Sequence, residues 1–174
     1  MNLSKRKSIV FLALLLFGIT VLAACGGDTM RPEKELQNFS DIIEEGNLDD
    51  LSLTIHYINP TILTRYPLSV ENLLNYSGVV KVVIKGKDLE EHIGLFNNVT
   101  NTALKSVRKK SYVDARIYYV FETEESVNIL DVILWGENNS MFVNGVEIKE
   151  NAVFYSIIKP FLPEDIQTHL SNGK

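Results

Sequence analysis

The segment YVDARIYYVFET, Tyr112 to Thr123, alternates apolar and polar side chains along most of its length, with Val113, Ala115, Ile117, Tyr119 and Phe121 on one side. A period of two leaves a helix without an apolar stripe but gives a strand one buried face. Such a strand needs partners along its edges and a layer over its apolar side. The rest of the sequence therefore has to supply further strands and helices to cover them.

It does so on both flanks. LSLTIHYI sets Leu51, Leu53, Ile55 and Tyr57 on one face and Ser52, Thr54 and His56 on the other. VVKVVIKG repeats the pattern, with Val80, Val82 and Ile84 opposed to Lys81 and Lys85. A turn at Glu124 to Ser126 leads to VNILDVILW, and another around Asn138 and Asn139 leads to SMFV. Asn144-Gly145 then predicts a tight hairpin into VEIK.

Helical spacing appears elsewhere. Leu36, Phe39, Ile42 and Ile43 line a helix from Glu35 to Glu45, with Gly46 as its stop. Ser69 can cap a brief helix through Leu74. Asp88 and Glu91 form a capping-box-like pair opening a longer helix striped by Leu89, Ile93, Phe96, Thr100 and Ala103. Val153, Phe154, Ile157 and Ile158 mark another, ended by Pro160, and Pro163 with Glu164 and Asp165 suits the first turn of a last one. The expected fold is α+β, an antiparallel sheet of about five to six strands with helices packed on one face. The order of the strands is not readable from this pattern.

The first residues follow a different logic. Lys5, Arg6 and Lys7 precede an uncharged run from Ile9 to Ala24. As a helix that run reaches about 24 Å at 1.5 Å per residue, short of a hydrocarbon core of about 30 Å. A basic flank, an apolar middle and small residues at the end make the layout of an export signal. The sequence there is Leu22-Ala23-Ala24-Cys25 followed by Gly26 and Gly27, and Cys25 is the one cysteine of the chain. This resembles the lipobox of bacterial lipoproteins. The resemblance implies cleavage between Ala24 and Cys25 and a thioether-linked diacylglycerol on Cys25. Physical chemistry agrees, since two acyl chains hold a protein to a bilayer where one is marginal. The expected organisation is a signal peptide over 1–24, a lipidated tether over 25–35 and a single extracytoplasmic domain over 36–174, anchored at the cell membrane.

Three of the 17 basic residues lie in that leader, so 14 remain against 22 acidic ones, a formal charge of −8. This balance argues against nucleic acid as a partner and against broad contact with anionic lipid. KSVRKK, Lys105 to Lys110, is the local exception and reads as the solvated end of a helix.

Catalytic and metal patterns are missing from the sequence. His56, His92 and His169 fall on separate elements, and no HExxH, paired-cysteine, GxSxG or P-loop spacing occurs. No metal or other cofactor is expected. Asp88 and His92, four apart, can share a cation, but a helix cap beside a surface histidine explains both and is preferred.

Asp131 is the one ionisable residue that interrupts an apolar strand, on the side of Ile129, Ile133 and Trp135. A carboxylate there needs a partner or water. Arg116, with Tyr118 close by, is the expected partner on the neighbouring strand. Two readings follow. Asp131, Trp135, Arg116 and Tyr118 make a ligand-binding face, or Asp131 and Arg116 form a plain cross-strand ion pair, with Trp135 under a helix. The second asks for less and is preferred.

ARIYYVFET through DVILWGENNSMFVNGVEIKENAVFYSIIKPFLPED, together with the lipobox, is similar to a domain family of small lipoproteins of Bacillus-type Gram-positive bacteria. That likeness implies an envelope address and one domain and carries over no catalytic residue. The expected function is a non-enzymatic domain binding an envelope protein, peptide or small ligand. The alternatives are a small envelope enzyme using Asp131 and an accessory subunit of a membrane complex.

Overall fold

The computed structural model describes residues 32–46, 48–100, 104, 105, 107, 112–136 and 141–171. The leader, Ala24, Cys25, most of the tether and the Asn138-Asn139 turn lie outside them.

Six strands form one sheet: β1 Leu51–Tyr57, β2 Val80–Lys85, β3 Val113–Thr123, β4 Asn128–Gly136, β5 Met141–Val143 and β6 Val146–Ile148. Their order is β2-β1-β3-β4-β5-β6, and every neighbouring pair is antiparallel. β3 to β6 follow one another as a meander because their turns are short. The last is the predicted hairpin, with φ of 47° at Asn144 and 71° at Gly145, the left-handed pair that a two-residue turn between twisted strands requires.

The helices are α1 Pro32–Glu45, α2 Val70–Leu74, α3 Lys87–Glu90, α4 Ile93–Thr100, α5 Ala152–Ile158 and α6 Glu164–Ser171. α1 starts at Pro32, inside the stretch expected to be tether, because proline suits a first helical turn. It stops at Gly46, whose φ is +69°. Ser69 caps α2 as expected, its Oγ accepting the Asn72 N–H at 3.1 Å.

The long helix expected from Asp88 is instead two short ones. Gly86 stands at the N-cap of α3 without any side-chain cap, and the chain turns at Glu91 and His92 before α4 begins. Asp88 caps nothing. The break still leaves Leu89 and Phe96 fully buried, so packing rather than capping decides the path.

α1 and α3 to α6 cover one face. Phe39, Leu89, Phe96, Phe154 and Ile157 meet Leu53, Ile55, Ile117, Tyr119, Phe121 and Val132 in the main core. Each such side chain contributes roughly 1.5–3 kcal/mol by leaving water. Tyr119 also donates its hydroxyl to the Phe154 carbonyl at 2.9 Å, so its one polar atom is satisfied in the interior. α2 lies across the other face, where Leu73 joins Ile58, Ala115, Ile133 and Phe142 in a smaller core.

The sheet's two edges differ. Lys105 and Val107, the described residues of KSVRKK, are not in a helix. They run along β6, the Lys149 N–H donating to the Lys105 carbonyl at 2.8 Å and the Val107 N–H to the Glu147 carbonyl at 3.4 Å. The backbone of β6 takes up the chain there because an unpaired edge is a worse alternative than extended pairing. β2 has no such cover among the described residues.

Candidate functional site

The register puts three rows of side chains on the face away from the main core. One runs Lys81, His56, Tyr118, Ile133, Phe142, Glu147 across all six strands. The next is Val83, Thr54, Val120, Asp131, and the third is Lys85, Ser52, Glu122, Asn128. α2 and its loops cover the Ile133 and Phe142 end of the first row. Among the described residues no helix lies over the β2 edge of this side, where Val83 is exposed, although Thr54 and Val120 further in are buried.

A depression of about 230 Å³ lies there, with Ser52, Thr54, Lys81, Lys85, Glu122 and Asp50 among its walls. The two lysines enter no ion pair among the described residues, so the depression has a cationic wall along β2 and an acidic one toward β3 and the start of β1. Hydroxyls of Ser52 and Thr54 lie between. Such a surface is complementary to polar groups of both signs and offers little apolar area.

His56 sits between Lys81 and Tyr118, its ring stacked 6.3 Å from the tyrosine with 26° between planes. Partial burial pulls its pKa below the usual histidine value; Lys81 adds to that and Glu122 opposes it. The imidazole is therefore neutral at pH 7. Burial, then Asp131 and Glu122, push the Tyr118 phenol up to about 12. Because the folded state binds the His56 proton less readily than the unfolded chain, stability is fully present above pH 6.5 and falls as pH drops below it. The urea midpoint of the native chain should thus decline between pH 7 and pH 5 more steeply than that of His56→Gln. Parallel declines would contradict this account of His56.

The four residues singled out on β3 and β4 do not form one site. Arg116 does not reach Asp131. Its guanidinium pairs with Asp114 at 3.0 Å and donates to the Ile62 carbonyl (2.9 Å) and the Thr64 hydroxyl (2.8 Å). Asp114 in turn accepts the Leu68 N–H at 3.0 Å. The pair clamps the 59–68 loop against β3.

Asp131 lies on the open face, outside the wall of the depression. Its carboxylate accepts from Asn128 at 3.0 Å, and its main-chain N–H and carbonyl exchange bonds with Asn144 at 2.7 and 2.9 Å. Trp135 belongs to the opposite face and packs on the main core. There β3 advances four residues, Val113 to Ile117, while β4 advances two, Gly136 to Leu134. The irregularity gives Trp135 a φ of 77°, a left-handed conformation that an aromatic residue adopts only under tertiary constraint. The same irregularity moves Val113 and Ala115 to the smaller core, away from Ile117, Tyr119 and Phe121. A second slip, between Phe121 and Glu122, turns Ile129 to the main core. Of the predicted set Tyr118 and Asp131 lie on the face away from the main core, Arg116 is held by the 59–68 loop, and Trp135 packs on the main core.

Among the histidines, His92 places Nδ1 3.2 Å from the Asp88 carbonyl oxygen rather than its carboxylate, and its ring lies 4.8 Å from that of Phe161. His169 is in the last turn of α6. Lys81, Lys85 and Glu122, which frame the depression, received no role from sequence. Their signal was present in the polar phase of each strand, but only strand order brings them together. Comparisons with known protein families, with curated proteins and with solved structures found no match.

Proposed function

We propose that this chain is a lipid-anchored extracytoplasmic domain that binds a partner at the cell envelope through the open face of its sheet. The observation that carries the reading is Cys25, placed after Leu22-Ala23-Ala24 at the foot of an uncharged run with three basic residues ahead of it. Removing the leader takes away the segment that carried the chain to the membrane, and a diacylglycerol on the cysteine replaces it. The lysines of the depression, without an ion pair among the described residues, and the hydroxyls of Ser52 and Thr54 beside them support a binding face. Engagement of the Asp131 carboxylate by Asn128, away from the depression, weighs against an enzyme built on that residue.

Intact-mass analysis of the chain from its native host tests the anchor. The expected species begins at Cys25, carries the mass of a diacylglycerol and partitions with membranes, while Cys25→Ser keeps its leader or leaves the membrane. A mature chain with a free thiol at Cys25 would overturn the reading.

A further inference from the structure

We infer that the outer edge of β2 accepts an extended acidic peptide as an added strand, with acidic residues two positions either side of an apolar one. This rests on the binding-face reading above and names the chemical class of the partner.

The phase of the ladder fixes which groups are free. The Ile58 N–H donates to the Arg116 carbonyl directly opposite it, so Ile58 and, by alternation, His56, Thr54 and Ser52 turn their main-chain groups toward β3. Tyr57, Ile55 and Leu53 then point toward β2, where Val80, Val82 and Ile84 are their register partners. Lys81, Val83 and Lys85 are left with N–H and carbonyl groups aimed away from the sheet. Among the described residues nothing bonds to them. The opposite edge, β6, is occupied by Lys105 and Val107, so β2 is the edge at which pairing is still open.

The same three residues direct their side chains to the open face. Val83 is 48 % exposed and stands between the two lysines. A strand pairing with β2 sets its own residues directly opposite Lys81, Val83 and Lys85, at about 4.5–5.5 Å between Cβ atoms. Carboxylates at the outer positions and an aliphatic group at the middle one complement them. Glu122 is two strands inside β2, so it lies roughly 14 Å from an added strand at about 4.8 Å per strand, beyond a screening length of about 8 Å. Asp50 immediately precedes β1 and by register falls beyond Lys85. The lysines therefore dominate the field at the edge.

A second copy fits less well. Antiparallel pairing of two β2 strands in register about Val83 brings Lys81 of each opposite Lys85 of the other, a repulsive contact at both ends. Edge lysines oppose self-association, and the same charge favours an acidic strand.

The test uses the ¹⁵N-labelled lipidated chain in detergent micelles, titrated with the acetylated, amidated heptapeptide Thr-Glu-Thr-Val-Thr-Glu-Thr and with its counterpart carrying lysine for glutamate. The expected result is chemical-shift change and slowed amide exchange at Lys81, Val83 and Lys85 with the acidic peptide, and at least tenfold weaker binding of the basic one. The double variant Lys81→Glu, Lys85→Glu should reverse that preference. Val83→Pro, which deletes an outward N–H and spares the β1 ladder, should abolish binding of either peptide while the remaining spectrum is preserved. Equal binding of the two peptides, no binding of either at millimolar concentration, or concentration-dependent dimerisation through β2 would overturn the inference. Shifts confined to the depression, with the three edge amides unchanged, would overturn it while leaving the binding face in place. Loss of the anchor is read separately from the mass at Cys25.

Discussion

Replacing Phe121 by alanine is expected to lower stability by about 3–5 kcal/mol. The residue is fully buried on β3, opposite Leu53 of β1 and Leu130 of β4. Its ring centroid lies 4.8 Å from Phe39 on α1, 5.3 Å from Phe96 on α4 and 6.4 Å from Tyr119. Two helices are thus seated on the sheet through one side chain, and neither can collapse into the vacated volume without unpacking from its other contacts. Domains of this size have total stabilities of about 5–15 kcal/mol, so the variant should be marginal at 37 °C. Urea denaturation should show a midpoint lowered by roughly 2 M with an unchanged slope. A loss under about 1 kcal/mol would mean that the covering helices do not depend on this ring.

The second large effect is expected at Arg116→Ala. Arg116 is only 7 % exposed and holds three partners from two segments. Its removal leaves the Ile62 carbonyl and the Asp114 carboxylate short of donors in a partly buried setting. Breaking a fully buried pair costs about 3–5 kcal/mol; the Asp114 side chain is 30 % exposed, so about 2–4 kcal/mol is expected here. Asp114→Ala alone should cost less, and the double variant less than the sum of the two, because removing both charges leaves no unpaired ion. Amide exchange through the 59–68 loop should accelerate in both single variants. Additive losses with an unchanged loop would refute the clamp. The loop carries Leu63, almost fully exposed, and Tyr66, over which the Arg65 guanidinium stacks at 5.4 Å, so the clamp also determines how these side chains are presented.

How far the sequence led depends on the range of the interaction that decides each feature. β1, α1, the Ser69 cap and the Asn144-Gly145 hairpin are settled by neighbours within a few residues, and all were legible. The expected α+β class, with an antiparallel sheet of about five to six strands, follows from them, and the sheet has six. The long helix after Asp88 failed because burial of Leu89 and Phe96 against a distant sheet overrode the local capping pattern. Arg116 was matched to Asp131 across the ladder, whereas the acid it holds is Asp114, two residues away on its own strand. Alternation already sets Asp114 and Arg116 on one side of β3; what it cannot show is the 59–68 loop, whose Ile62 and Thr64 hold the guanidinium away from Asp131. Trp135 was misplaced because a register slip against β3 reverses the facing of everything beyond it. The depression at β2 needed strand order, which depends on the crossover from β2 past β1 to β3 and has no local trace.

The segment beside β6 makes the two sides of the sheet unequal toward growth. A sheet with two bare edges can propagate from molecule to molecule into a filament. Lys105 and Val107 bond along β6, so a neighbour stacking its β2 on that strand would have to displace them first.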